Sequence, residues 1–142
     1  VESGRLKSQV FGTAARHFPD SDTLEIDRVR MRSFDEQGRL TTATADRALT
    51  NSDASIVELF GNARLVREAS QDKSGNPVAR IEFRGEYLHT NTDTERIKSN
   101  KPVELRRGND VFVADSMDFD NVQQVMVMQG RVRGLIMPAK TK

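Results

Sequence analysis

Apolar residues recur at every second position along much of this chain, and helical spacing is hard to find. Val57, Leu59, Ala63 and Leu65 alternate with Glu58, Asn62 and Arg64. Ala79, Ile81 and Phe83 alternate with Arg80, Glu82 and Arg84, Val103 and Leu105 flank Glu104, and Val125 and Val127 continue the pattern. A period of two sends successive side chains to opposite faces of a strand, so each run predicts a half-buried β-strand. β-Branched residues are common in these runs, as a pleated surface prefers. Turn formers punctuate them at Pro19-Asp20-Ser21-Asp22, Glu36-Gln37-Gly38, Asn51-Ser52-Asp53, Gly75-Asn76-Pro77, Asn91-Thr92-Asp93 and Gly108-Asn109-Asp110. Short strands with regular punctuation predict an all-β sandwich, barrel or jelly roll.

A weak repeat underlies the alternation. Gly12 to Arg16, a turn at Asp20 to Asp22 and Leu24 to Met31 make one copy; Thr44 to Ala48, a turn at Asn51 and Val57 to Leu65 make the next. The third runs from Phe83 to Leu88 through Asn91 to Leu105, and the fourth from Val113 to Met117 through Asp120-Asn121 to Gly134. Each unit reads as a small-residue strand, an Asx-type turn and a longer strand broken by Gly or Asn. Such a break is where a β-bulge bends a strand. Units of this length suit a stacked, quasi-repeating β architecture.

Charge narrows the function classes. The chain's 142 residues suit one domain, and its 22 Lys+Arg against 21 Asp+Glu leave a formal net of +1. Basic and acidic residues interleave along most of the chain, which argues against nucleic acid as a partner. With no cysteine, neither a disulfide framework nor a thiolate metal site is available. No window approaches the roughly 18 apolar residues of a membrane span. The chain starts at Val1, so we expect it to be a fragment with any anchor or signal upstream.

Residues that carry chemistry are sparse. His17 and His89 stand just before the turns of the first and third units, without ligand spacing, and read as hairpin-end residues. Asp110, Asp115, Asp118 and Asp120 lack the order of a calcium-binding loop and read as a solvated face and turn. Neither a nucleophile elbow nor a phosphate-binding glycine loop occurs, so any energy input must come from a partner. The most informative local feature is the uncharged, strand-prone run from Asn121 to Gly130. On an exposed edge it would invite another strand to pair; in a central position it would already be paired.

Three stretches carry a family resemblance: Ala45-Asp46-Arg47-Ala48-Leu49-Thr50-Asn51, Val57 to Leu65, and Gly130-Arg131-Val132-Arg133-Gly134. Together with Ser99-Asn100-Lys101-Pro102-Val103 and Gly108 they resemble LptC, the membrane-anchored periplasmic subunit of the lipopolysaccharide exporter. The resemblance runs from about Gly4 to Gly134, and the order and spacing of the short motifs carry it. It implies an open, twisted antiparallel β-jellyroll whose interior shelters acyl chains, as one periplasmic domain over residues 1–137 with a tail at 138–142. It also implies an inner-membrane anchor upstream, ABC-transporter subunits at the N-terminal edge, a periplasmic bridge β-jellyroll at the C-terminal edge, and self-association. Neither a cofactor nor a catalytic residue is expected.

On this resemblance the inner, lipid-facing residues are expected to be Ile26, Met31, Leu59, Leu65, Ile81, Phe83, Val103, Leu105, Val113, Val125 and Val127. The partner edges are expected to include Leu6 and Val10 at one end and Val122, Val125, Met126, Val127 and Met128 at the other. Burial stabilises an acyl chain by roughly 0.8 kcal/mol per methylene, so partial coverage holds lipid and still permits release. Two readings compete with the anchored subunit. One is the soluble periplasmic bridge protein of the same system. The other is a carbohydrate-binding jelly roll, which is disfavoured because the chain has no Trp and only Tyr87. An enzyme on a β scaffold ranks last, since no paired acid and base stand out.

Overall fold

A computed structural model describes residues 7–34, 38–53, 55–71, 74–123 and 125–136. Its strands begin with β1 (Lys7–Phe11), β2 (Ala14–Phe18), β3 (Thr23–Phe34), β4 (Leu40–Thr50) and β5 (Ile56–Arg67). A short ribbon, β6 (Ser70–Gln71) and β7 (Pro77–Val78), leads to the long β8 (Ile81–Asn91). The chain continues through β9 (Arg96–Ser99), β10 (Val103–Arg107), β11 (Asp110–Ala114) and β12 (Ser116–Asp120). It ends in β13 (Val125–Gln129) and β14 (Arg133–Leu135). The ribbon stands apart, and the other strands form one twelve-stranded antiparallel sheet that does not close.

The sheet has two arms because its long strands serve both. In the first arm the order is β1-β3-β4-β5-β8-β10-β11-β14. In the second, the other halves of β3 and β8 pair with β2 and β9, and β9 leads on to β12 and β13. The arms face each other across a common core. Phe83 of the first arm and Phe119 of the second meet with ring centroids 5.5 Å apart.

The bend between the arms comes from the Gly/Asn breaks. On β5, Gly61 (φ 80°) and Asn62 (φ 49°) insert one residue more than either neighbouring strand supplies, and the register shifts there. The last unit repeats the device with Gly130 (φ 78°) and Arg131 (φ 44°). Both bulges lie opposite an aspartate. Asn62 donates to Asp46 at 3.1 Å, and Arg131 forms an ion pair with Asp115 at 3.0 Å. A bulge both bends the strand and resets its alternation. On β3, the left-handed Arg28 (φ 51°) leaves Ile26 and Val29 buried in the same core on either side of it.

At the tip of the second arm the predicted Asx turns close the hairpins. Asn51 Oδ1 accepts the amide of Ile56 at 3.0 Å, and Asn91 Oδ1 accepts those of Asp93 and Thr94. Asp120 Oδ1 accepts the amides of Val122 and Gln123 in the same way. The expected turn at 36–38 lies largely outside the described residues, as does the 138–142 tail.

Candidate functional site

The apolar interior is one cluster shared by both arms. Leu65, Ile81, Phe83, Val103 and Leu105 line the first arm, and Ile26 and Leu59 the second; all are buried in this cluster. Met31 is half-buried against it. Three residues expected on this face lie on the other. Val113 pairs with Glu104, whereas its neighbour Phe112 pairs with Leu105 and packs on the core. Val125 and Val127 pair with Asp120 and Asp118, and it is Met126 and Met128 that turn inward, opposite Phe119 and Met117.

The interior also holds residues that alternation did not nominate as inner-facing: Val29, Val57, Leu88, Met117 and Phe119. Val57 stands in the same alternating run as Leu59, so its signal was present. Leu88 lies across a register change from Phe83, which hides its parity. Met117 and Phe119 sit among the aspartates that read as a solvated stretch.

The sheet edges fall at the two ends of the chain. β1 and β2 each pair only with β3, β13 pairs only with β12, and β14 only with β11. The uncharged run therefore forms an edge, with Val125 to Met128 on β13 and Val122 in the turn before it. Val10 is on the N-terminal edge, and Leu6 lies outside the described residues. Among the described residues, the exposed large hydrophobics gather at these ends. Val10, Phe11, Phe18 and Phe34 belong to β1–β3, and Val122, Val125, Val127, Val132, Leu135 and Ile136 to the C-terminal end.

A cavity of about 690 Å³ opens beside the C-terminal edge, lined by Pro102, Val103, Val113, Ala114 and Val132 with Arg131 and Arg133 among its walls. A second, of about 370 Å³, lies near β9, β12 and β13 and includes Tyr87, His89, Met117 and Val127. Far from the bulges, the arms are tied by polar contacts. Arg67 at the end of β5 donates to Asn121 Oδ1, and Asn121 donates to Glu95 Oε1 at 2.8 Å.

The outer faces carry the charge. Glu82 is buried beneath Arg64 (2.6 Å), Arg80 (3.3 Å) and Arg84. Burial pushes its carboxyl up, but the hydrogen bonds and positive charges of Arg64 and Arg84 outweigh that and hold it at about 2. On the second arm Glu25 joins Arg16 at 3.0 Å and Arg47 at 2.6 Å, and hydrogen bonds from these arginines hold it below the usual carboxylate range. Arg47 also lies over the Phe60 ring at 4.8 Å, and Phe60 meets Tyr87 at 5.3 Å. Burial, then the hydrogen bond to Glu58, pushes the Tyr87 phenol well above its ordinary range. His17 rests beside Asp22 at 3.2 Å, and the described residues hold no cluster of His, Asp and Glu able to bind a metal. Asp115, Asp118 and Asp120 serve instead as bulge, ion-pair and turn partners.

An open antiparallel sheet with an apolar interior shared by its two arms, and with β1, β2, β13 and β14 each paired on one side only, defines an open β-jellyroll. The family model described as "Lipopolysaccharide-assembly, LptC-related" matches residues 1–137, and the chain belongs to that family. Among solved structures, the chain is similar to LptH from Pseudomonas aeruginosa, described as the LptA homologous periplasmic component of the conserved lipopolysaccharide transport device. The TM-score is 0.74 with 14% identity, over 93% of this chain and 96% of LptH. At that identity the likeness is one of fold. No curated protein matches the chain.

Proposed function

We propose that this chain is a periplasmic bridge component that takes lipopolysaccharide at its N-terminal edge and passes it to the next β-jellyroll at its C-terminal edge. The observation that carries this reading is the apolar interior shared by the two arms of a sheet that is left open. Acyl chains need apolar cover along their length, and the interior shared by β3, β4, β5, β8, β10 and β12, reaching Met126 and Met128 on β13, supplies it. The cavity at the C-terminal edge adds an apolar wall at Val103, Val113 and Val132 with arginines beside it. That combination suits a ligand with both hydrocarbon and phosphate.

On this reading the donor is an inner-membrane ABC transporter, which supplies the energy, and the acceptor is a soluble periplasmic jellyroll. Both meet the chain by strand addition, since β1, β2, β13 and β14 each leave one side unpaired. Anchoring by a helix upstream belongs to the same proposal. The inner positions Ile26, Met31, Leu59, Leu65, Ile81, Phe83, Val103 and Leu105 are proposed as lipid contacts, with Phe112, Met126 and Met128 added by the register.

Photocrosslinking tests the proposal. A photoreactive residue at Phe83 or Val103 is expected to capture lipopolysaccharide during active transport, and one at Val125 to capture the neighbouring jellyroll. Lipid adducts at outward positions such as Thr44, with none at inner positions, would overturn the groove.

A further inference from the structure

The outer face of the first arm concentrates positive charge that the composition does not reveal. Two adjacent cross-strand rows run the full width of this arm. One passes Phe11, Arg30, Thr44, Arg64, Arg84, Glu104, Val113 and Arg133. The other passes Gln9, Arg32, Thr42, Val66, Glu82, Arg106, Val111 and Leu135. Directly paired residues share a face. These two rows carry six arginines, at 30, 32, 64, 84, 106 and 133, against Glu82 and Glu104, and the next row, which holds Phe34, adds the Arg80–Glu68 ion pair at 3.4 Å, in a chain whose formal net is only +1. The outer face of the second arm differs, since Arg16, Arg47, Arg96 and Lys98 share it with Glu25, Asp27, Glu58, Asp118 and Asp120.

Glu82 and Glu104 engage Arg64, Arg84 and Arg106. Arg30, Arg32 and Arg133 are exposed, and none of the three pairs with a carboxylate among the described residues. From Arg30 on β3 to Arg133 on β14 the row crosses six strand spacings, about 30 Å at about 4.8 Å each. No single phosphate reaches across that span, whereas a surface of many phosphates does.

Apolar side chains border the arginines on the same face. Phe11 and Phe34 stand exposed at one end and Leu135 at the other. The guanidinium of Arg30 lies over the Phe11 ring at 5.7 Å, and that of Arg32 over Phe34 at 5.8 Å. Those ring faces are covered, so they do not offer the free stacking platforms that single-stranded nucleic acid uses. Guanidinium forks match phosphate oxygens in pairs, and aromatic and aliphatic side chains beside them suit the boundary between headgroups and hydrocarbon.

We infer that the outer face of the first arm docks on an anionic phospholipid bilayer, with Arg30, Arg32 and Arg133 contacting headgroup phosphates and Phe11, Phe34 and Leu135 at the interface. This goes beyond acyl-chain binding inside the jellyroll and does not depend on it. Peripheral attachment of this kind weakens as salt rises, because screening acts on the arginines.

The test is co-sedimentation of the 142-residue chain with vesicles of phosphatidylcholine alone or mixed equally with phosphatidylglycerol, at low and high salt. The chain is expected to pellet with the anionic vesicles at low salt only. Each arginine near such a surface contributes roughly a fivefold gain in affinity. The triple variant Arg30→Gln/Arg32→Gln/Arg133→Gln is then expected to lose about a hundredfold with unchanged circular dichroism. A control variant, Arg28→Gln/Lys98→Gln/Lys101→Gln, removes as much charge elsewhere and is expected to retain binding. Equal losses in both variants, equal pelleting with neutral vesicles, or equal affinity for a short single-stranded oligonucleotide would each overturn the inference.

Discussion

A β-carbon added to Gly61 would stand 2.7 Å from Asp46 Oδ2, and Gly130 stands in the same relation to Asp115, also at 2.7 Å. The two bulges are thus one device used twice. A glycine in the left-handed region presses against the aspartate of the facing strand, and the residue after it, also left-handed, bonds that aspartate. Gly61→Ala and Gly130→Ala combine backbone strain with a steric clash, so each is expected to cost about 2–4 kcal/mol in urea unfolding. Gly108→Ala, at φ +59° with open space around it, is expected to cost only about 1–2 kcal/mol. Replacing Asp46 with Gly in the Gly61→Ala background should recover part of the loss, and strict additivity would refute the clash.

Glu82 makes the fold sensitive to acid in a defined window. Its folded pKa of about 2 lies below the ordinary 4.5. Its contribution is therefore fully present above about 4.5 and is lost as pH falls toward 2. The three arginines are half exposed, which weakens their hold through solvent screening, so the contribution is about 1–2 kcal/mol. Glu82→Gln is expected to lower stability by about that amount at pH 7 and to flatten the loss between these limits. An unchanged slope of stability against pH would place the acid sensitivity elsewhere.

The Arg67–Asn121–Glu95 contacts tie the far end of β5 to the turn between β12 and β13. On the proposed function, lipid entering between the arms has to part or pass this tie. Asn121→Ala removes an acceptor from the buried Arg67, and a cost of about 1–3 kcal/mol is expected. Amide exchange should quicken in β12 and β13, and lipid capture at Phe83 should rise. Faster exchange without greater capture would show that the tie does not limit lipid access.

Much of this was legible from residue order, and what was not has one cause. Class, turns and bulges are local properties: Asn51, Asn91 and Asp120 bond amides within a few residues, and Gly61-Asn62 marks its own bend. Inside and outside are not local. In Val-Phe-Val and Val-Met-Val-Met both parities are apolar, so the choice of face rests on pairing with neighbouring strands. That choice went to Phe112 over Val113 and to Met126 and Met128 over Val125 and Val127. The aspartates around Met117 and Phe119 masked two core residues in the same way. The arginine rows were invisible because their members come from strands far apart in sequence, each interleaved with acidic residues that face elsewhere or are already paired.

The edge strand β13 offers the most direct separation of stability from assembly. Val127 is 48% exposed and points outward beside Asp118 on a strand paired on one side only. Lysine there keeps its charge in solvent and lies opposite a carboxylate, so Val127→Lys is expected to leave unfolding within about 0.5 kcal/mol of the parent. A lysine on an edge obstructs the approach of another strand. Capture of the acceptor jellyroll by a photoreactive Val125 is therefore expected to fall in this variant, while contacts at the N-terminal edge persist. Phe18→Lys on β2 should give the reverse pattern. If Val127→Lys left capture intact and Phe18→Lys abolished it, the direction proposed for transfer along the sheet would have to be reversed.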